Sequence, residues 1–405
     1  MNKPAGATIS LLLFGCGART GLDAEIPSQD AASLDASLLD GSQERSALLA
    51  VGGTEAFYQT ADGGIFAWGG SWDGVLNSDA GLDANAAVIP HPTPMPVPSL
   101  GYAKAMAPIG VGNCILDTGG QVSCWGWNGL GAVDGVGSKG KPPPGVVVVT
   151  HARSLSGARF HCARLDNNSV QCWGYPVACE GPAPGQLAPQ PPHRRTDLEP
   201  LANLSIGDEG LCGMDGTTVR CCGSNSVGQL GDGTTNDRNA LAAVKLPAGA
   251  RSVSYGWTVT PCAVMLDSTV ECWGWNDLGQ VGDGTIGGIR PLPVPVAGLK
   301  DVDRVAVGGR HSCALLRDHT ARCWGGNLDG EIGDGTTTNR PSPVPLRSPT
   351  GYGNWLLSDI QTGGGFTCAV DMDGKVWCWG RNEYGQLGDG TTVNRTVPTR
   401  VVGLP

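Results

Sequence analysis

A Trp-Gly pair closes each of several similar stretches of this 405-residue chain. It stands at Trp68, Trp125, Trp173, Trp273, Trp324 and Trp379, and Cys222 once takes the tryptophan's place, which makes seven copies. The intervals are 57, 48, 49, 51, 51 and 55 residues. Self-similarity at such a period belongs to repeat architectures, whose units bury a core only against one another. One array is therefore expected where length alone would suggest two or three domains.

The unit from Asp301 to Leu346 shows what repeats. Apolar alternation marks Val302–Val307, Cys313–Leu316 and Ala321–Trp324, Pro343–Pro345 adds an edge-like segment, and Gly and Asp turns separate the four. Four short strands make a blade. Seven blades close into an all-β fold, a seven-bladed β-propeller of four-stranded antiparallel blades, which leaves only short, protected sheet edges. We place it at residues 47–405. The last strand-like segment, Thr396–Val401, has no counterpart before Ala47, so it is expected to cross over and pair with the first blade, zipping the ring.

Cys313 and Cys323 are equidistant from Asp318, so they face one another across the central hairpin. The same pairing is expected for Cys114 with Cys124, Cys162 with Cys172, Cys262 with Cys272, Cys368 with Cys378 and, with one turn residue deleted, Cys212 with Cys221. Disulfides fit better than zinc, because Cys-x9-Cys is not a usual zinc spacing and no His recurs beside it. Of the 15 cysteines, Cys16, Cys179 and Cys222 remain. For the last two, an inter-blade bridge and two thiols are both open.

Cys16 belongs to the N-terminal segment, where Lys3, a short apolar stretch and Leu13-Phe14-Gly15-Cys16 look like a lipoprotein signal. Residues 1–16 are read as that signal, ending at a lipidated Cys16, and 17–46, rich in Asp, Ser and Ala, as a flexible tether. The expected location is extracytoplasmic, as an envelope lipoprotein or a secreted protein, touching membrane only through the lipid. No apolar run reaches the roughly 18 residues needed to span a bilayer. Net charge is −10 with no basic cluster, which makes nucleic acid a poor partner.

After each Trp-Gly in the second half comes Asn225–Thr234, repeated as Asn276–Thr285, Asn327–Thr336 and Asn382–Thr391, ending in Asp-Gly-Thr. Short polar side chains and glycines are what tight turns require. A calcium cage would need several acids per unit, and only one recurs. The six histidines have no repeated partner, and neither Gly-x-Ser-x-Gly nor His-Glu-x-x-His occurs. No catalytic residue, metal or cofactor is assigned.

The pattern Cys-Ala-Leu, then Cys-Trp-Gly-x-Asn-x2-Gly-Gln-Leu-Gly-Asp-Gly-Thr, resembles the regulator-of-chromosome-condensation repeat family, in the Cys-containing form of exported bacterial, alpha-tubulin-suppressor-like members. The match is specific over about 201–405. Upstream, an Asp/Ala/Pro-rich insertion (Ser71–Val97) interrupts the first blade, and the second and third lack the Gly-Gln-Leu-Gly-Asp-Gly core. The family's founder is a chromatin-bound nucleotide exchange factor for a small GTPase; its exchange loops lie outside the shared repeat, so that activity is the weakest inference from the likeness. A secreted member that inhibits β-lactamases through one face shows what the scaffold can do.

Antiparallel blades put their a–b and c–d connections on one face and their b–c turns on the other. The first face should display Arg159, Phe160, Trp257, Arg310, His311 and Phe366 from a–b turns, and Trp127, Tyr175, Trp275 and Arg381 after Trp-Gly. Trp, Tyr and Arg are common interface anchors. The expected function is a non-enzymatic, monomeric scaffold binding an unknown protein on that face. The alternative is a ligand or enzymatic site in the central channel.

Overall fold

The computed structural model describes residues 48–71, 89–97, 100–108, 112–126, 128, 133–134, 141–158, 160–174, 179, 189–256, 259–353 and 355–405. Cys16, the expected lipidation site, and the segments read as signal and tether lie outside them.

Among the described residues, twenty-eight strands form seven four-stranded antiparallel sheets, each built from consecutive strands a, b, c and d. In the sixth blade these are Val302–Val307, His311–Leu316, Ala321–Gly325 and Arg340–Pro345, within a residue or two of the sequence pattern except at the start of strand d. The a strands neighbour one another around the ring and line its axis. The d strands lie outermost; their prolines, such as Pro341, Pro343 and Pro345, withhold N–H groups from an edge that could otherwise recruit another chain.

The Trp-Gly pair has a local cause. Gly325 has φ +104°, in the left-handed region, and the pairing of strand c with strand d shifts register between Cys323 and Gly325. A residue with a Cβ would be strained at this bulge. The six other glycines of the motif also have positive φ, from +97° to +126°.

The core is not central. Seven hydrophobic clusters occupy the seven joints between neighbouring blades, and the motif tryptophans sit in them at 0–1% exposure. Each described joint of the regular half carries one further bond. The indole N–H of Trp273 donates to the Gln229 carbonyl of the preceding blade at 2.9 Å, Trp324 to Gln280 at 3.0 Å and Trp379 to Glu331 at 2.8 Å. The preceding loop then reaches outward, and Gly233, Gly284 and Gly335 donate their backbone N–H to Pro291, Pro341 and Thr396 on the next d strand.

The ring closes by the same means and not by strand exchange. Arg395–Arg400 pairs with strand c of its own seventh blade, Cys378 opposite Thr399, which corrects the expected crossover to the first blade. Blade 1 is complete without it: Leu48–Val51 is its strand a and Ile89–Pro96 its strand d. The inserted segment is therefore shorter than Ser71–Val97. The seventh joint holds because Trp68 donates to the Gln386 carbonyl at 3.0 Å and Gly390 to Pro92 at 2.8 Å. At the axis, a Cβ on Gly363 would lie 2.5 Å from the Gly52 carbonyl oxygen, so the two blades meet there backbone to backbone.

The hairpin disulfides are present as the spacing predicts. Cys114 bonds Cys124, Cys162 bonds Cys172, and Cys212 bonds Cys221. Cys262 bonds Cys272, Cys313 bonds Cys323, and Cys368 bonds Cys378. In every case the two Cα atoms are 4.1 Å apart and the residues are directly opposite in the b–c ladder. The shorter Cys212 hairpin keeps that register, with Asp215 opposite Thr218 at its turn. Blade 1 has Phe57 opposite Ala67 at the same level. A seventh bridge, Cys179–Cys222, settles the open pair.

Two measurements test the joint. Trp324→Phe, which strands the buried Gln280 carbonyl, should cost about 1–3 kcal/mol in a denaturant titration, and Trp324→Ala about 3–5 kcal/mol. Equal losses would mean that the indole N–H bond contributes nothing beyond volume.

Candidate functional site: the loop-bearing face

The a–b turns and c–d loops share one face of the ring, and each regular c–d loop is organised around one buried asparagine. Asn327 Oδ1 accepts from the Ile332 N–H at 2.9 Å, while its Nδ2 donates to the carbonyls of Thr336 and Thr338 at 3.1 and 3.0 Å. Asp334 Oδ1 accepts from the Thr336 N–H and hydroxyl, and Oδ2 from Arg340 Nε at 2.6 Å. Asn225, Asn276 and Asn382 repeat the arrangement, with Asp232–Arg238, Asp283–Arg290 and Asp389–Arg395. The recurring carboxylates are thus engaged by their own turns. In blade 2, Asn128 keeps the role, accepting from Val133 N–H at 2.8 Å and donating to Asp134 at 2.6 Å, although the surrounding motif has gone.

Burial raises the Asp389 carboxyl pKa, but hydrogen bonds from Thr391 and Arg395 outweigh it and hold the group below the ordinary value. The same balance lowers Asp232, Asp283 and Asp334. Glu331 is the exception. It occupies the position of Gln229, Gln280 and Gln386, accepts from the Asp329 N–H at 2.8 Å, is 3% exposed, and burial pushes its pKa up.

The structure redistributes the residues expected on this face. Arg310 is exposed, and Trp275 and Arg381 are half-buried, with Arg381 donating to Glu383 at 2.7 Å. Trp127, Arg159, Tyr175 and Trp257 lie outside the described residues. Phe160, His311 and Phe366 are not displayed: they are 3%, 1% and 0% exposed. Each opens its strand b, where the side chain turns into the joint between blades instead of outward.

The hairpin cystines belong to the framework and not to this face. Cys124, Cys172, Cys221 and Cys272 on the c strands, with their partners Cys114, Cys162, Cys212 and Cys262 on the b strands, are buried in the apolar clusters between blades. Cys313, Cys323, Cys368 and Cys378 are buried in the same way. Their role is to fix each hairpin's register inside a joint, out of reach of a partner.

His311 illustrates the consequence of burial at the start of strand b. Thr367 spends its hydroxyl proton on the Glu331 carbonyl at 2.9 Å, so His311 Nε2, 2.7 Å from that hydroxyl, is the donor to it. The ring is therefore the neutral Nε2-protonated tautomer, with Nδ1 buried and unpartnered. Burial pushes its pKa down to about 3. His161, stacked on Trp173 at 5.4 Å, is pushed down to about 3 for the same reason.

What the pattern missed lies between the framework positions. In each Asn-x-x-Gly stretch the first x is exposed: Ser226, Asp277, Leu328 and Glu383. Leu328 is 61% exposed. Along the axis, a cavity of about 360 Å³ is lined by the a strands and includes Lys104, Met106, Ser156, Ser205, Gln361 and Thr362.

This is a seven-bladed β-propeller with its a–b turns and c–d loops on one face. Residues 269–315 and 373–405 match the family described as Regulator of chromosome condensation (RCC1) repeat, and a second family of that description matches 302–331 and 358–386. These segments of the chain carry RCC1 repeats. It is 30% identical over 191 residues to the Ultraviolet-B receptor UVR8 of Arabidopsis thaliana, covering 46% of this chain and 43% of the relative. It is 26% identical over 360 residues to the human E3 ubiquitin-protein ligase HERC2, covering 84% of this chain and 7% of that one. The chain thus spans less than half the length of these relatives. Among solved structures it resembles human WBSCR16, with TM-score 0.72 and 20% identity over 84% of this chain and 94% of that one. It also resembles Prp20p of Saccharomyces cerevisiae, with TM-score 0.68 and 20% identity over 88% and 87%.

Two pH effects follow. Both histidines are neutral in the fold well below the unfolded pKa of about 6.5, so their stabilisation is present above that value and is lost as pH falls toward 3. By pH 5.5 each should cost about 1.4 kcal/mol, and His161→Phe should flatten that part of a Tm-against-pH curve. Glu331 has the opposite sign. Its raised pKa destabilises the fold as pH rises above the ordinary glutamate range, so Glu331→Gln should raise Tm at pH 7 and leave it unchanged at pH 3.

Proposed function

We propose that this chain is an exported, non-enzymatic protein-binding platform that uses the loop-bearing face. The carrying observation is the division of labour in the c–d loops: Asn, Asp, Gly and Thr hold the backbone, while the positions between them, Asp277, Leu328 and Glu383 among them, are exposed and differ from blade to blade. A rigid scaffold with variable loop tips supports recognition without ordering cost. Solved relatives fit the reading, since yeast RCC1 (Prp20) was crystallised bound to Kap60, and Prp20p is described with binding properties to Gsp1p and histones. Seven disulfides support an oxidising, extracytoplasmic location, and the Leu13–Cys16 pattern supports anchoring through a lipid on Cys16.

The test is cross-linking capture from the envelope fraction with the full chain, beside a face variant, Trp275→Ala/Arg310→Glu/Leu328→Asp, checked for an unchanged Tm. A protein cross-linked to the face and lost from the variant, with affinity falling at least tenfold, is the expected outcome. A partner held equally by both would move the site to the other face. The axial cavity supports a second reading, a small polar ligand; Gln361→Leu should then abolish binding while the face variant leaves it intact.

A further inference from the structure

We propose that the Cys179–Cys222 disulfide replaces, in place, the indole latch seen at four other joints, and that it makes closure of the ring between blades 3 and 4 dependent on oxidation. The latch joins two fixed positions: the aromatic of the Trp-Gly pair and, in the preceding blade, the residue seven places after that blade's own aromatic position, namely Gln229, Gln280, Glu331 and Gln386. Cys222 stands at the first position. Cys179 stands six places after Trp173, within one residue of the second. Their separation is 43 residues, against 44 for Trp273 and Gln229 and for Trp324 and Gln280.

The sequence that follows Trp173-Gly174 also departs from the regular loops. Residues 175–189 contain no Asp-Gly-Thr, the turn that elsewhere reaches the next d strand. Among the described residues, the other contacts at this joint are an apolar seam, Ala158, Phe160 and Cys179 against Ile206, Leu211 and Cys222, and the Arg164 guanidinium, which donates to the Leu198, Glu199 and Leu201 carbonyls. The six other bridges lie within hairpins already paired along their backbone, at separations of 9 or 10. Among the described residues, Cys179–Cys222 alone ties one blade covalently to the next. Reduction of a hairpin bridge leaves a ladder in place, whereas reduction of this one leaves joint 3/4 without a latch.

Closure requires a disulfide oxidant, a protein or glutathione disulfide, which takes up the two thiol hydrogens and two electrons as the Sγ–Sγ bond forms. A chain held in a reducing compartment would carry an open seam; export would shut it. This holds whether or not the loop-bearing face binds a protein.

The test compares hydrogen exchange in the oxidised full chain, in Cys179→Ala/Cys222→Ala and in Cys313→Ala/Cys323→Ala. Protection should fall at least tenfold in Phe160–Leu165 and Ala202–Ile206 of the first variant, with the sixth and seventh blades unchanged. The second variant should loosen only its own hairpin. Equal behaviour of the two variants would overturn the proposal. Should the first variant fail to fold, the parent chain decides through a dithiothreitol titration followed by thiol alkylation. Dithiothreitol passes two electrons and its two thiol hydrogens to the cystine and closes to its cyclic disulfide. Alkylation of Cys179 and Cys222 should coincide with loss of protection at the joint; alkylation with protection intact would overturn the assignment.

Discussion

The ring rests on one contact repeated between neighbours, an indole buried against the preceding blade with its N–H on a loop carbonyl of that blade. Either half alone would be weak. A hydrogen bond contributes about 1 kcal/mol net, and its loss leaves a stranded buried carbonyl that costs more. The aromatic supplies buried area, the bond supplies register, and the glycine after the tryptophan supplies the bulge that aims the ring. Because the contact is made between blades, no blade can satisfy it alone. The same bond from Trp68 to Gln386 brings the last blade onto the first, so the fold needs no exchanged strand to close.

This arrangement separates what must be kept from what can vary. Asn327, Asp334, Thr336 and Arg340 are consumed in holding one loop, and Gln280 or Glu331 in meeting the next tryptophan. The neighbouring Asp329 accepts from Asn394 Nδ2 of the next blade at 2.8 Å, but Leu328 carries none of these roles, and its counterparts are Asp277 and Glu383. Chemical identity on the face can change at such positions without touching a joint. A binding surface can therefore diverge on this scaffold while the ring is preserved.

Much of this was legible in the chain. Strand pairing and the six hairpin bridges follow from a period of two and a turn at the midpoint, as the registers of Cys114 with Cys124 and Cys313 with Cys323 show. The blade count follows from Trp-Gly. The residue that opens strand b turns inward because it already belongs to the b–c ladder: Phe160, His311 and Phe366 lie two places before Cys162, Cys313 and Cys368 and so share the cystine's face inside the joint, which the expectation of a turn position overlooked. Ring closure was misread because a Pro-rich terminal strand looks alike whether it pairs at home or across a seam. The latch was hidden for a different reason. Its acceptor is a main-chain carbonyl, which any residue supplies, so Glu331 serves as well as Gln280 and nothing in the side chains marks the bond.

Electrostatics narrows what the open face can meet. Four arginines, Arg238, Arg290, Arg340 and Arg395, neutralise the Asp-Gly-Thr carboxylates, and Arg251 and Arg304 reach across joints to the backbone of the next blade. These cations are committed to structure, so much of the chain's positive charge is unavailable to a partner. On the loop-bearing face, Glu209, Asp277 and Glu383 are exposed beside Arg310, within a chain of net charge −10. A polyanion would approach against the overall field with few uncommitted guanidinium groups to meet it, whereas a neutral or basic protein surface would not. The negative charge left uncompensated after those pairs form thus acts, at long range, on what approaches the loops.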